Sequence, residues 1–178
     1  MSIKKISISN FRCFNGVDLE FSKLNNFIHG ANGSGKTSVL EALYFCSTGR
    51  SFKSTNKNLC IQNDKEAFKI QLETFDNNKI SILKEAKKSI SLEIDEKKAT
   101  SIELFRTIPS TLLDNKTFSM FADTPKYRRK ILDRCLMASD KNYSKDFFTF
   151  HRSLKQRNAA LKFKRLTNID MWSEIFID

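Results

Sequence analysis

Gly30-Ala31-Asn32-Gly33-Ser34-Gly35-Lys36-Thr37 meets the pattern G-x-x-x-x-G-K-[ST] at every fixed position, and the rest of the chain is read relative to this octapeptide. A glycine-rich turn lets successive backbone N–H groups point inward at phosphate oxygens. The helix that follows adds the positive end of its dipole. In such a loop Lys36 reaches the β- and γ-phosphates, and the Thr37 hydroxyl is one ligand of Mg²⁺. The site residues for ATP are therefore Gly30, Ala31, Asn32, Gly33, Ser34, Gly35, Lys36 and Thr37. The competing reading is a chance match in a glycine-containing turn. The flanking pattern opposes it, because Asn26-Phe27-Ile28-His29 reads as a short strand into the loop, and Val39, Leu40, Leu43 and Tyr44 recur at helical spacing after it.

Upstream, Ile6 and Ile8 alternate with Ser7 and Ser9, which predicts a half-buried strand. Val17, Leu19 and Phe21 repeat the alternation after an Asn15-Gly16 turn signal. Downstream, residues 49–63 are polar and read as a loop. Phe68, Ile70 and Leu72, then Ile80 and Ile82, then Ile90, Leu92 and Ile94 form three alternating sets. Asp76-Asn77-Asn78 turns the first pair, and Asp95-Glu96-Lys97 closes the third. An antiparallel meander with one wet face is predicted. Beyond Pro109 the period changes from two to about 3.6. Residues 125–166 lack Gly and carry two apolar stripes, Ile131, Leu132, Cys135 and Leu136, then Phe147, Phe150, Leu154 and Leu161. Two helices are predicted, broken near residues 139–143. The domain division follows: 1–124 as an ATP-binding lobe and 125–178 as the start of a helical domain. Trp172 is read as a core aromatic of the second.

Charge divides the chain at the same place. Of a net charge of +11, residues 125–166 hold +10, from thirteen Lys or Arg against three Asp. A basic segment beside a nucleotide loop suits contact with a phosphate backbone and no base reading. The bland alternative is a solvated or domain-packing face, with some cations paired to Asp133. Candidate DNA contacts are Arg50, Lys53, Lys126, Arg128, Arg129, Lys155 and Arg157. Arg50 has its own structural alternative, capping the helix carbonyls near Gly49. Cys13, Cys46, Cys60 and Cys135 have no C-x-x-C spacing, and His29 and His151 stand apart from them, which predicts reduced thiols and no zinc site. The first residues hold no apolar signal segment and no stretch is long enough to cross a bilayer, so a cytoplasmic protein without a membrane partner is expected.

Ile6-Ser7-Ile8-Ser9-Asn10-Phe11-Arg12-Cys13-Phe14, the phosphate loop with Ser38-Val39-Leu40-Glu41-Ala42-Leu43-Tyr44, and Ser47-Thr48-Gly49-Arg50-Ser51-Phe52-Lys53 together resemble the SMC-like ATPases. Pro125-Lys126-Tyr127-Arg128-Arg129-Lys130-Ile131-Leu132-Asp133 and Ser153-Leu154-Lys155-Gln156-Arg157-Asn158-Ala159-Ala160-Leu161-Lys162 narrow the resemblance to the RecF family. The resemblance implies an α/β fold: a P-loop ABC-type ATPase head, a mixed sheet with an antiparallel meander, followed by a helical second domain. It implies ATP and Mg²⁺ as ligands, ATP-dependent homodimerisation, binding of duplex DNA near single-strand gaps, and RecO and RecR as partners in recombinase loading. It also implies that the signature motif and Walker B carboxylates lie further along such proteins, so this chain is expected to be a fragment or truncated product. Two departures stand out: Ser110-Thr111 where relatives carry acidic residues, and Asp123-Thr124 where they tend to have Gly.

No catalytic residue is assigned. Asp95-Glu96 and Glu174-Ile175-Phe176-Ile177-Asp178 are the nearest approaches to an apolar run ending in a carboxylate, and neither fits. The alternative function is a non-hydrolysing ATP-binding or protein-interaction module. A nucleotide kinase is disfavoured by the meander between the loop helix and the basic tail.

Overall fold

The computed structural model describes residues 2–113 and 125–162. The chain divides into two compact units, Met1–Thr117 and Phe118–Asp178.

The first unit is a six-stranded sheet with helices. Its strands are β1 (Ile3–Phe11), β2 (Phe14–Glu20), β3 (Ala67–Thr74), β4 (Lys79–Glu85), β5 (Ser91–Ile94) and β6 (Lys97–Lys98), in the order β2-β1-β3-β4-β5-β6. Every ladder among them is antiparallel. The alternating isoleucines and leucines meet across strands: Ile8 faces Ile70, Ile70 faces Ile82, and Ile82 faces Leu92. Such pairs fix the register, because a slip of one residue moves the apolar set to the wet face. Helix α1 (Lys36–Thr48) covers this face, and α2 (Ser101–Thr107) packs against α1.

The buried centre is aromatic. Phe11, Phe45 and Phe68 are wholly buried and meet edge to face, with centroids 5.0 to 6.2 Å apart. Phe11 reaches this centre because Asn10, at φ 53°, breaks the alternation of β1. Continued alternation after Ile6 and Ile8 turns Asn10 inward instead.

Three details differ from the sequence-based expectations. The first hairpin turns at Arg12 and Cys13, while Asn15 and Gly16 lie inside β2. Arg12 adopts φ 54° because tertiary contacts, described below, hold it there. The short strand expected over Asn26 to His29 is not formed. Phe27 is 88% exposed, and the segment has no ladder partner among the described residues, without which alternating or apolar pattern alone makes no strand. Helix α2 was not anticipated, although Thr100-x-x-Glu103 is a capping-box signal: Glu103 N–H donates to the Thr100 hydroxyl at 3.3 Å and Thr100 N–H to the Glu103 carboxylate at 2.6 Å. Asp95 and Glu96 form the β5–β6 turn, both at positive φ, and Asp95 accepts from Lys79 N–H at 2.8 Å.

The second unit contains α3 (Pro125–Ser139) and α4 (Lys141–Lys162), separated at Asp140. Asp140 caps the second helix by accepting from Asn142 N–H at 2.8 Å. The Tyr143 hydroxyl donates to Asp133 at 2.7 Å, a bond between the two helices that raises the phenol's pKa. Ile131, Leu132 and Leu136 of the first stripe are exposed, as are Phe150 and Leu161 of the second. Asp123, Thr124, Trp172 and residues 174–178 lie outside the described residues, as does the side chain of Lys126.

Candidate functional site

The phosphate loop arches from Gly30 to the first turn of α1. Gly35 is the N-cap at φ 90°, a conformation that favours glycine, and a Cβ there meets the Phe14 ring at 2.5 Å and the Cys13 sulfur at 2.9 Å. The first hairpin thus leans directly on the loop, and any side chain at Gly35 displaces it. Helix α1 opens with no side-chain cap and no acidic residue in its first turn, so its leading N–H groups stay available to an anion. At its other end Gly49, at φ 65°, closes the helix through its N–H to Phe45 at 2.8 Å.

The Lys36 amine donates to the carbonyls of Gly30 and Ala31 at 2.8 and 2.7 Å. It is therefore held over the mouth of the loop, where exchange of two neutral acceptors for phosphate oxygens strengthens each bond. Asn32, Gly33, Gly35, Lys36, Thr37 and Ser38 line one side of a cleft of about 900 Å³. The opposite sides are Arg12 and Cys13 of the hairpin, Lys53, and residues 59 and 61–64. A cleft of this size accepts a nucleotide. The cradle at Gly35, the open helix terminus and the Thr37 hydroxyl fit a triphosphate with Mg²⁺.

The wall facing the loop is built on an ion pair that the sequence did not reveal. Arg12 donates to Glu41 through Nε at 3.0 Å and Nη2 at 2.6 Å. Glu41 is wholly buried and the Arg12 side chain is 21% exposed. The carboxylate raises the already high pKa of the guanidinium. The third nitrogen, Nη1, donates to the Leu59 carbonyl at 2.6 Å.

Of the candidate DNA contacts, Arg50 and Lys53 lie just after α1, and Lys53 lines the cleft. The helix-capping role considered for Arg50 falls to Gly49 and to the Thr48 hydroxyl, which donates to Tyr44 O at 2.8 Å. Arg50 is exposed. Arg128, Arg129, Lys155 and Arg157 belong to the second unit, the first three exposed and Arg157 half-buried. Asp133, a possible ion-pair partner for them, accepts from Tyr143.

Sequence reading also missed two cations of the first unit. Lys57 sits on the 3-10 turn Lys57–Cys60, which packs against β4, and Lys84 is 7% exposed on β4. Partial burial, then the nearby charges of Arg50 and Lys84, lower the Lys57 pKa. The Lys84 amine donates to the carbonyls of Glu85 and Lys88, both at 2.6 Å. Among the described residues no carboxylate forms an ion pair with Arg50, Lys57 or Lys84. No described helix is long and apolar enough to cross a membrane.

The AAA-domain family model matches residues 5–174. Among curated relatives, the DNA replication and repair protein RecF of Salmonella newport is 36% identical over 167 residues, 91% of this chain and 46% of its own length. RecF of Shewanella pealeana is 33% identical over 182 residues, 99% of this chain and 51% of its own length. The chain thus spans about half the length of the relatives it matches. The solved structure of the recombination mediator protein RecF with ATP superposes with a TM-score of 0.82 at 26% identity, covering 97% of this chain and 49% of that one. An SMC head bound to the winged-helix domain of ScpA reaches 0.63 at 21% identity over 90% of this chain, a likeness of fold.

Proposed function

This chain belongs to the AAA-domain family, and from that membership and its similarity to the amino-terminal portion of RecF we propose that it is the ATP-binding part of a RecF-type DNA replication and repair protein. The observation that carries the reading is the phosphate cradle: glycine at the left-handed N-cap, an uncapped helix start, and Lys36 poised over the loop. Gly30 to Thr37 wrap the phosphates, Lys36 neutralises the terminal ones, and the Thr37 hydroxyl contributes to the Mg²⁺ shell. Bound there, the metal would supply charge neutralisation to the phosphates.

Titration calorimetry with Mg-ATP tests this. The parent chain binds, and Lys36→Ala loses at least about a hundredfold in affinity, since a charged contact to phosphate is removed from the centre of the site. Retained affinity in that variant removes the site assignment.

In the same reading Arg50, Arg128, Arg129, Lys155, Arg157 and Lys126 contact the DNA backbone near single-strand gaps, ATP drives homodimerisation, and RecO and RecR are partners. The support is that Arg50 forms no ion pair among the described residues, the exposed helical cations Arg128, Arg129 and Lys155, and the family resemblance. Light scattering with and without Mg-ATP tests dimerisation, and a dimer population unresponsive to nucleotide counts against it. The non-hydrolysing alternative draws on the placement of Asp95 and Glu96 in a hairpin turn. It expects ATP to be retained without phosphate release.

A further inference from the structure

Glu41 is a wholly buried carboxylate one turn beyond Thr37 on the loop helix. A charge in that position persists only when it is paired and its oxygens are hydrogen-bonded. Its partners come from three separate segments that border the cleft. Arg12 is the first, from the β1–β2 turn. The Ser51 hydroxyl is the second, from the loop after α1, donating to Oε1. The Cys60 thiol, from the 3-10 turn, is a weaker third at 3.9 Å.

Ser51 is a relay. Its proton goes to Glu41, and its oxygen accepts from the backbone N–H groups of Lys53 at 2.9 Å and Ser54 at 3.0 Å. One donor and two acceptor positions are all that a hydroxyl has, and all three are used. The backbone carrying Lys53 is therefore tied, through one side chain, to a fixed point on the phosphate-loop helix. The Lys53 side chain is exposed, lines the cleft with Lys36 and Thr37, and makes no hydrogen bond or ion pair among the described residues. Arg12 lines the same cleft, but its charge is already paired with Glu41, and three of its five N–H donors serve Glu41 and Leu59. Among the described residues Lys53 is thus the cation of that wall without a carboxylate partner.

We propose that Lys53 contacts the phosphates of the bound nucleotide and that Ser51, anchored on buried Glu41, is the residue that positions it. The proposal rests on the reading of the loop as an ATP site, and separates Lys53 from the DNA-contacting set. Lysine supplies a point charge on a flexible stem, so its contribution depends on where its backbone is held.

The test is calorimetry of Mg-ATP binding to the full chain in a double-mutant cycle. Lys53→Ala and Ser51→Ala each weaken binding about five- to tenfold. Ser51→Thr, which keeps a hydroxyl, restores the parent value. In a Lys53→Ala background Ser51→Ala adds no further loss, because the relay then has nothing to position. Fully additive losses, or parent affinity for Ser51→Ala, overturn the relay. Parent affinity for Lys53→Ala, a change on an exposed side chain that no fold contact depends on, overturns the proposal even where Ser51→Ala unfolds the chain. Undiminished binding by Lys36→Ala defeats the nucleotide reading itself, a separate outcome.

Discussion

Arg12 of the first unit and Arg128 of the second are the same residue type in opposite situations. Arg12 is mostly enclosed, with its guanidinium divided between a buried carboxylate and a backbone carbonyl. Arg128 is exposed on α3. Desolvation makes the first an element of architecture, since neither partner tolerates loss of the other. Solvation leaves the second contributing little to stability and available to an external polyanion. Charge count therefore says where a partner can bind only after the committed cations have been subtracted.

The sharpest way to break this contrast is to remove each arginine. Arg12→Ala strands Glu41 in the interior and lowers unfolding stability by about 3 kcal/mol, read as a fall in the urea midpoint at unchanged slope. Arg128→Ala shifts it by less than about 0.5 kcal/mol. Equal effects end the distinction. The converse measurement is DNA retention at several salt concentrations. Lys155→Ala/Arg157→Ala makes the log–log salt slope shallower by up to about 1.8, at about 0.9 per lost phosphate contact. An unchanged slope removes those two residues from the interface. An effect smaller than that of Arg12→Ala comes from a charge held at a helix start. Glu103 has its pKa lowered from 4.5, first by the Thr100 backbone N–H and then by the Thr100 hydroxyl. A depressed folded-state pKa contributes stability above the unfolded value and loses it as pH falls through the folded one. Thr100→Ala removes the N-cap hydroxyl that accepts from Glu103 N–H and costs about 1 kcal/mol near neutrality. The gap from the parent narrows as the pH drops below 4.5, and a gap constant through that range contradicts the capping box.

Legibility in the sequence followed distance along the chain. Ile80, Ile82 and their partners announced the meander through a two-residue period, and each lies in a strand facing the core. Val39 and its helical companions announced α1. The phosphate loop is eight consecutive residues, so its glycines, Lys36 and Thr37 could be assigned together. Arg12 and Glu41 are 29 residues apart, and neither carries a local mark of burial. Lys57 and Lys84 come together only because the 3-10 turn packs on β4. Asn15-Gly16 was a misleading turn signal, overruled by contacts that hold Arg12 in a left-handed conformation.

By itself the sequence determined the phosphate loop, the antiparallel strands and the concentration of positive charge in residues 125–166, because each depends on side chains repeating over a few positions. Tertiary structure alone decided which arginine is enclosed against a buried carboxylate, which lysine faces the cleft, and that residues 26–29 form no strand. Those outcomes depend on desolvation and on ladder partners, and both are supplied by segments remote in the chain.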